Sequence, residues 1–461
     1  MEFRPNQNEA APPSRQQAVA ADKCSVTHSP FGKRIALALG CALAIGAAGA
    51  AQATDLVRLA GSAANEGAGG LIGLDPNPQT AVLSNPALLS DIDDGFNFTL
   101  ASLRVNSDFT SKLGEVAAAD KGPGILPELG FKGTLGNNGW SWGAAFTVKS
   151  ALRADFTFQD PPGTAGVSYG VQQHLSEWVI AKLGGALSYQ ISDRLSAGLS
   201  LGLAYNRNRL DAPYIFQSHP ALTGLKVLVD LEADDLALTS ALGLNYRASD
   251  SLKLNLAYSL RTDFSADGDL SGNLGQLGLG IPETFRYNAN VETALPAVLM
   301  AGASWQATER LTLGLQWDRV FWEDSFDTLP IRLTQGSNAD LNDFLGANSI
   351  VDVAPLDWRD QDTFHVGGEY LLVGGGKLRL GYESSEAPVP RRTFTPMTGA
   401  ILDQAWTAGL QFRLGRRDID VAYRFAQGDD LLVVDSDLAG GEYEGTSQTL
   451  ELHTFVISVP F

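Results

Sequence analysis

Residues Leu195–Tyr205 read LSAGLSLGLAY, and the rest of the chain repeats the logic of this stretch. Odd positions carry Leu195, Ala197, Leu199, Leu201, Leu203 and Tyr205, while even positions carry only Ser, Gly and Ala. Side chains of a strand alternate between its two faces, so one face here is apolar and the other small and polar. A soluble sandwich strand alternates too, but the later copies separate the two cases. Leu252, Leu254, Leu256, Tyr258 and Leu260 alternate with Lys253, Asn255, Ala257, Ser259 and Arg261. Leu311, Leu313, Leu315 and Trp317 alternate with Thr312, Gly314, Gln316 and Asp318, and Ile419, Val421, Tyr423 and Phe425 with Asp420, Ala422 and Arg424. A face holding Lys253, Arg261, Asp318, Asp420 and Arg424 is not a dry core, because an unpaired buried charge is too costly. The apolar face is then the one turned from water, which is the inside-out plan of a transmembrane β-barrel.

Bulk properties fit that plan. The longest apolar run, Ile35–Ala50, follows Lys33-Arg34 and ends at Ala51-Gln52-Ala53, so residues 1–53 read as a signal peptide with a long n-region and a mature start near Thr54. No later run reaches the roughly 18 apolar residues of a spanning helix. Both cysteines, Cys24 and Cys41, precede the cut, which leaves the exported chain without a disulfide, a thiolate or a cysteine metal ligand. The leader holds five of the 33 Lys/Arg and three of the 52 Asp/Glu; the remaining 28 bases and 49 acids give a charge of −21, which argues against nucleic acid as a partner.

Residues 54–94 do not alternate. They are rich in Gly, Ala and Asn and broken by Pro76, Pro78 and Pro86, too apolar for a disordered tail and too interrupted for a membrane strand. An ordered plug inside the barrel satisfies both facts, with a periplasmic extension as the alternative. From residue 95 to 461 the pattern predicts fourteen antiparallel strands: 96–108, 125–135, 139–152, 177–191, 194–209, 235–248, 251–262, 285–307, 310–332, 358–372, 377–386, 404–415, 418–427 and 447–461. Short polar turns (Asn137-Asn138-Gly139, Ser192-Asp193-Arg194, Ser249-Asp250-Ser251, Thr308-Glu309-Arg310, Gly374-Gly375-Gly376, Gly415-Arg416-Arg417) alternate with long connections. That asymmetry is the one between periplasmic turns and extracellular loops of an outer-membrane barrel. Two of the long connections, 210–234 and 263–284, are unusually apolar. Tyr214, Ile215, Phe216, Leu225, Phe264, Leu277 and Ile281 are candidates for a hydrophobic entry, since large exposed apolar patches mark binding sites. Loops that simply pack on each other are the plainer reading.

Several short motifs, taken in order, resemble the outer-membrane long-chain fatty-acid transporter family (FadL type), which includes channels for toluene and related hydrocarbons. Asn85-Pro86-Ala87 resembles the motif that closes the family's plug. Leu295-Pro296-Ala297 and the Trp-rich strand after it, Trp358-Arg359-Asp360, and Gly381-Tyr382 followed by Pro388-Val389-Pro390 are similar to further family signatures. The chain ends HTFVISVPF, and the terminal Phe461 resembles the signal read by barrel-assembly machinery. The resemblance implies a plugged fourteen-stranded barrel, a monomer in outer-membrane lipid and lipopolysaccharide, without a cofactor, carrying long-chain fatty acids or, alternatively, aromatic or alkane hydrocarbons. Where members often carry Pro-Phe-Gly near a lateral exit, this chain reads Val148-Lys149-Ser150-Ala151-Leu152, so the exit does not carry over.

An enzyme is a poor reading. The exported chain has only His174, His219, His365 and His453 as imidazole bases and no H-E-x-x-H spacing, so neither a serine hydrolase nor a zinc site is spelled out. His365 reads as an inward wall residue. A general diffusion porin is the other rival. For a fatty acid, a carboxylate entering an apolar pocket needs a charge-assisted partner, and Lys149, Arg153 and Arg261 are the candidates near the apolar loops. The plainer alternative has such bases paired with inward acids such as Asp318 and Asp420 to hold the wall.

Overall fold

The computed structural model describes residues 61–119, 124–164 and 166–461, with the side chains of 149–152 outside that description. The expected signal peptide and the first residues of the expected plug therefore lie outside the described residues. Fourteen strands form a closed antiparallel ring: β1 Gly95–Thr110, β2 Gly124–Leu135, β3 Trp140–Gln159, β4 Val171–Ser192, β5 Leu195–Ile215, β6 Lys226–Arg247 and β7 Leu252–Ser259. The ring continues through β8 Val298–Gln306, β9 Leu311–Val320, β10 Gln361–Leu371, β11 Lys377–Ser385, β12 Gln404–Leu414, β13 Arg417–Gln427 and β14 Ser447–Pro460. Each pairs with the next, and β14 returns to β1 from Asn97↔Pro460 to Thr110↔Ser447, so the wall has no free edge. All six expected short turns join neighbouring strands at one end. No described helix is long and apolar enough to cross a membrane.

The wall is inside out. Leu199, Leu201, Leu242, Leu256, Leu315, Leu380, Phe364 and Phe455 lie exposed on the outer face. Between them Ser196, Ser200, Asn245, Asn255, Gln316, Asp318, Arg379, Asp420 and Arg424 are buried on the inner face. A hydrocarbon exterior and a polar interior place this chain in the outer membrane as a multi-pass β-barrel.

Two expectations need correction. The stretches expected as single strands at 285–307 and 310–332 are each broken. Pro296, which has no N–H for a ladder, separates a ribbon strand, Thr284–Leu295, from β8, and residues 321–327 with the helical turn Glu323–Phe326 separate β9 from a second ribbon strand, Thr328–Thr334. The connections 210–234 and 263–284 are also not loops for most of their length. β5 and β6 stay paired out to Ile215↔Lys226, and Thr262–Asn273 pairs with both the upper part of β6 and Thr284–Leu295. A strand of about ten residues crosses the bilayer, whereas β5 has 21 and β4 and β6 have 22 each. Half of each therefore stands beyond the lipid, where its backbone is satisfied by further pairing. The result is a tall sheet on one side of the long-loop end, extended by Ile350–Pro355, which pairs with Thr328–Thr334.

Candidate transport site

The segment 61–92 occupies the lower lumen, and its local structure follows from its caps. Ser62 caps helix α1 (Ala63–Gly67), Asn77 caps helix α2 (Pro78–Leu83), and Asn85 caps the 3-10 turn Pro86–Asp91. Each cap side chain accepts a backbone N–H, and Pro78 and Pro86 take first-turn positions where no N–H is needed. Contacts reach around the ring: α1 lies on β11, β12, β13 and β14, α2 on β1–β4, and the 3-10 turn on β3–β6. A stretch that touches opposite walls of a closed ring is enclosed by it.

Asn85-Pro86-Ala87 sits directly on the wall. Asn85 is fully buried, and its Oδ1 accepts from Ala87 N at 3.2 Å. The Ala87 carbonyl accepts from Ser196 Oγ at 3.1 Å and Ser188 Oγ at 3.3 Å. A Cβ at Gly198 would stand 2.4 Å from the Pro86 carbonyl carbon, and one at Gly243 2.0 Å from Asn85 Oδ1, so two wall glycines give this tripeptide its seat. On the opposite side the segment is held by charge. Arg379, fully buried, donates to Asp75 at 2.6 Å, Glu369 at 2.8 Å and Asp420 at 2.6 Å, with Lys377 3.2 Å from Asp75. His365 lies inward as expected, its Nδ1 2.7 Å from the Gly69 carbonyl and its Nε2 3.0 Å from Asp318, a wall role with no reacting partner among the described residues. At the end of the segment Lys253 reaches Asp91 at 2.6 Å and Lys132 reaches Asp94 at 2.6 Å.

Above the segment, at the long-loop end, lies a cavity of about 170 Å³. Trp178 and Leu210 form one side, Phe326, Leu329 and Ile331 another, and Tyr214, Leu356, Met397, Leu438 and Tyr443 close it above. Glu177 and Arg209, cross-strand partners on β4 and β5, stand at its edge. Two buried polar locks hold the closing loops. Asp352 accepts from Tyr214 Oη at 2.6 Å and from the backbone N–H groups of Gln217, Ser218 and His219 at 2.9, 2.7 and 3.1 Å. Burial and that carboxylate push the Tyr214 phenol well above its ordinary pKa, so it stays a donor. Lys226, fully buried, meets Asp160 at 2.7 Å, the Pro161 carbonyl at 2.6 Å, and Glu442. Burial raises the Glu442 carboxyl, against the opposing pull of Lys226.

Of the seven expected entry residues, Tyr214 and Ile215 line this cavity. Phe216, with Leu225, Leu277 and Ile281 packed on the same cluster, belongs to the apolar core between the ribbons, which meets the cavity only through Leu231, Val291, Ile331 and their neighbours, and Phe264 is buried in the cluster that holds Trp322, Trp358 and Val389. Most of the apolar loop residues thus pack on one another. The lining residues Trp178, Phe326, Met397 and Tyr443 were missed because they come from one strand and three separate connections; inward parity on β4 was the signal for Trp178 alone. Among the proposed carboxylate partners, Arg153 is 3.0 Å from Asp155 and 3.6 Å from Glu177, and Arg261 is 2.7 Å from Asp263 and also donates to the Asp324 carbonyl. The Lys149 side chain lies outside the described residues. Among the described residues no cluster of His, Cys, Asp or Glu has the geometry to hold a metal ion.

One break in the wall lies beside β3. Its pairing with β2 runs from Leu135↔Trp140 only to Glu128↔Thr147, although β2 continues to Gly124 on β1 and β3 to Gln159 on β4. The β3–β4 register shifts between Ser150 and Leu152, a bulge at a place (148–152) where the strand has neither Pro nor Gly.

The same architecture recurs in solved structures. The toluene transporter TodX of Pseudomonas putida aligns with a TM-score of 0.70 at 19% identity, covering 87% of this chain and 98% of its own. The Ralstonia pickettii toluene transporter TbuX aligns at 0.64 and 17% identity, covering 88% and 99%. A FadL homologue of Pseudomonas aeruginosa aligns at 0.66 and 18%, covering 87% and 98%. A search of curated protein sequences finds no match. The family model described as outer membrane protein transport protein (OMPP1/FadL/TodX) matches residues 42–459, and the chain belongs to that family of outer-membrane channels for hydrophobic molecules.

Proposed function

We propose that this transporter takes up small, neutral, mainly apolar molecules of the size of a substituted single ring. The cavity carries this reading. At about 170 Å³ it matches the roughly 150 Å³ apolar cavity that binds benzene in another protein. A sixteen-carbon acid needs far more room and a cation; Arg153 and Arg261 already have anionic or carbonyl partners, and Arg209 at the cavity edge stands across from the carboxylate of Glu177. The ligand enters between the loops held by Asp352 and Lys226, and residues 61–92 act as the plug below. Exit to the membrane runs through the unpaired stretch between β2 and β3, beside the bulge. Uptake proceeds without catalysis or cofactor, by a monomer set in lipopolysaccharide and lipid.

Uptake into proteoliposomes tests the substrate class. An alkylbenzene is expected to saturate at lower concentration than palmitate and to be insensitive to Arg153→Met. Palmitate uptake that outcompetes the alkylbenzene and falls in that variant would assign the fatty acid instead. Near-silence in planar bilayers is expected of a plugged barrel, and a steady ion conductance would favour a diffusion porin. Phe461, whose ring lies 3.9 Å from the Arg417 guanidinium and whose backbone pairs with Phe96, serves as the assembly signal. Its deletion is expected to deplete the heat-modifiable folded form.

A further inference from the structure

Asn206 and Asn208 lie two residues apart on the inner face of β5, and they are satisfied very differently. The Asn206 amide is fully engaged: Oδ1 accepts from the Trp178 indole N–H, and Nδ2 reaches Thr293 Oγ1 at 3.4 Å. Asn208 is 9% exposed, lines the cavity, and has its Nδ2 buried with no hydrogen-bond partner. An amide N–H buried without a partner destabilises the fold, and strand position 208 would accept a Leu or Val at no such cost. Its neighbours in the lining are chiefly apolar, and the nearby hydroxyls are already committed: Thr393 Oγ1 donates to the Leu356 carbonyl at 2.6 Å, and the Thr395 and Thr398 hydroxyls bond each other at 3.0 Å. A half-turn of the amide exchanges its N and O without changing its shape, so Asn208 is able to present a donor or an acceptor to an occupant.

Resting on the small-molecule reading above, we propose that Asn208 is a specificity residue, selecting apolar ligands that carry one neutral carbonyl or hydroxyl oxygen over the plain hydrocarbons of the same shape. A ring or short alkyl body fills the apolar lining, and its oxygen completes the hydrogen bond that the protein leaves unmade. A site built to bond a polar group penalises the analogue that lacks it, because the protein's own group is then left unpaired. A carboxylate gains nothing from the neutral amide, and at the edge Arg209 is offset by Glu177 across the strand pair.

The test compares acetophenone, 1-phenylethanol and ethylbenzene, which share size and shape, by equilibrium binding to the detergent-solubilised full chain. Wild type and Asn208→Leu are measured side by side, so that the difference in water solubility between ligands cancels in the ratio of ratios. The preference for acetophenone and 1-phenylethanol relative to ethylbenzene is expected to fall about tenfold in Asn208→Leu, equal to about 1.4 kcal/mol, with ethylbenzene affinity unchanged or higher. Asn208→Ala gives the same readout if the Leu variant does not fold, and Asn208→Ser is expected to keep part of the preference. An unchanged ratio in the variants, with all three ligands still bound, would overturn the role of Asn208 and leave the small-molecule reading intact. Failure of wild type to bind any of the three would overturn both.

Discussion

The two halves of the lumen are built from opposite materials. Below, the segment 61–92 meets the wall through ion pairs, backbone hydrogen bonds and glycine contacts, with Arg379 at the centre of three carboxylates. Above, the cavity wall is made chiefly of apolar side chains such as Trp178, Phe326, Ile331, Leu356 and Met397, with Glu177 and Arg209 at its edge and the buried ion pairs set in locks behind the lining. The lower half is specified by directional bonds, so it has one arrangement and little room. The upper half is specified by shape and apolar area, so it tolerates several occupants and movement of the loops around them. In the proposed uptake the lower half serves as the stopper and the upper half as the receptor.

The largest break in that contrast is expected from Arg379→Met. It leaves the buried Asp420 without its cation, and Asp75 and Glu369 with Lys377 alone; removing one partner of a buried pair costs about 3–5 kcal/mol. The folded barrel is expected to lose thermal stability sharply and the segment to detach, which a limited-proteolysis pattern with new cuts in 61–92 would report. An intact pattern would mean that the glycine-lined seat alone holds the segment.

Lys226→Met strikes the upper half in the same way but locally, leaving Asp160 and Glu442 without their cation. Roughly 3 kcal/mol is expected again, yet spent on the cap: hydrogen exchange rises in 160–170, 216–226 and 438–446, while the melting of the barrel barely moves. Because burial raises the Glu442 carboxyl, that group favours the closed cap while protonated and loses the favour as pH rises through its folded pKa. Cap protection in the variant is therefore expected to fall as pH rises from the ordinary carboxylate value. Flat protection across that range would show the cap to be held elsewhere.

Asn85→Ala is smaller. It removes one helix cap, worth about 1 kcal/mol, together with the group that fits beneath Gly243. Assembly is expected to be normal and uptake altered; wild-type uptake at equal surface level would take the tripeptide out of the mechanism. The smallest effect belongs to Asp94, whose bonds to Lys132 and Thr134 lower its carboxyl from 3.8 to about 2. Its contribution is complete above 3.8 and disappears as pH falls toward 2. Amide protection at 92–96 is expected to drop across that window, and Asp94→Asn to remove the dependence.

The wall was legible in the sequence because alternation is a local property. Strands whose inner positions hold Lys253, Asp318, Asp420 and Arg424 have one workable solvent arrangement, and the turn chemistry at 137–139 or 415–417 counts the hairpins without reference to the rest of the molecule. The loss of alternation before residue 95 was legible from composition, and the caps Asn77 and Asn85 with their first-turn prolines are likewise local. Pairing partners were not. Nothing near Arg379 in the chain announces Asp75, some 300 residues away, nor near Lys226 the carboxylate of Glu442. The cavity was invisible for the same reason: Trp178 comes from β4 and Phe326, Met397 and Tyr443 from connections that share no spacing, and only the closed ring brings them together. Local alternation determined what faces lipid and what faces the lumen; the closure of the sheet decided which inner groups meet, and so left Asn208 alone with the cavity.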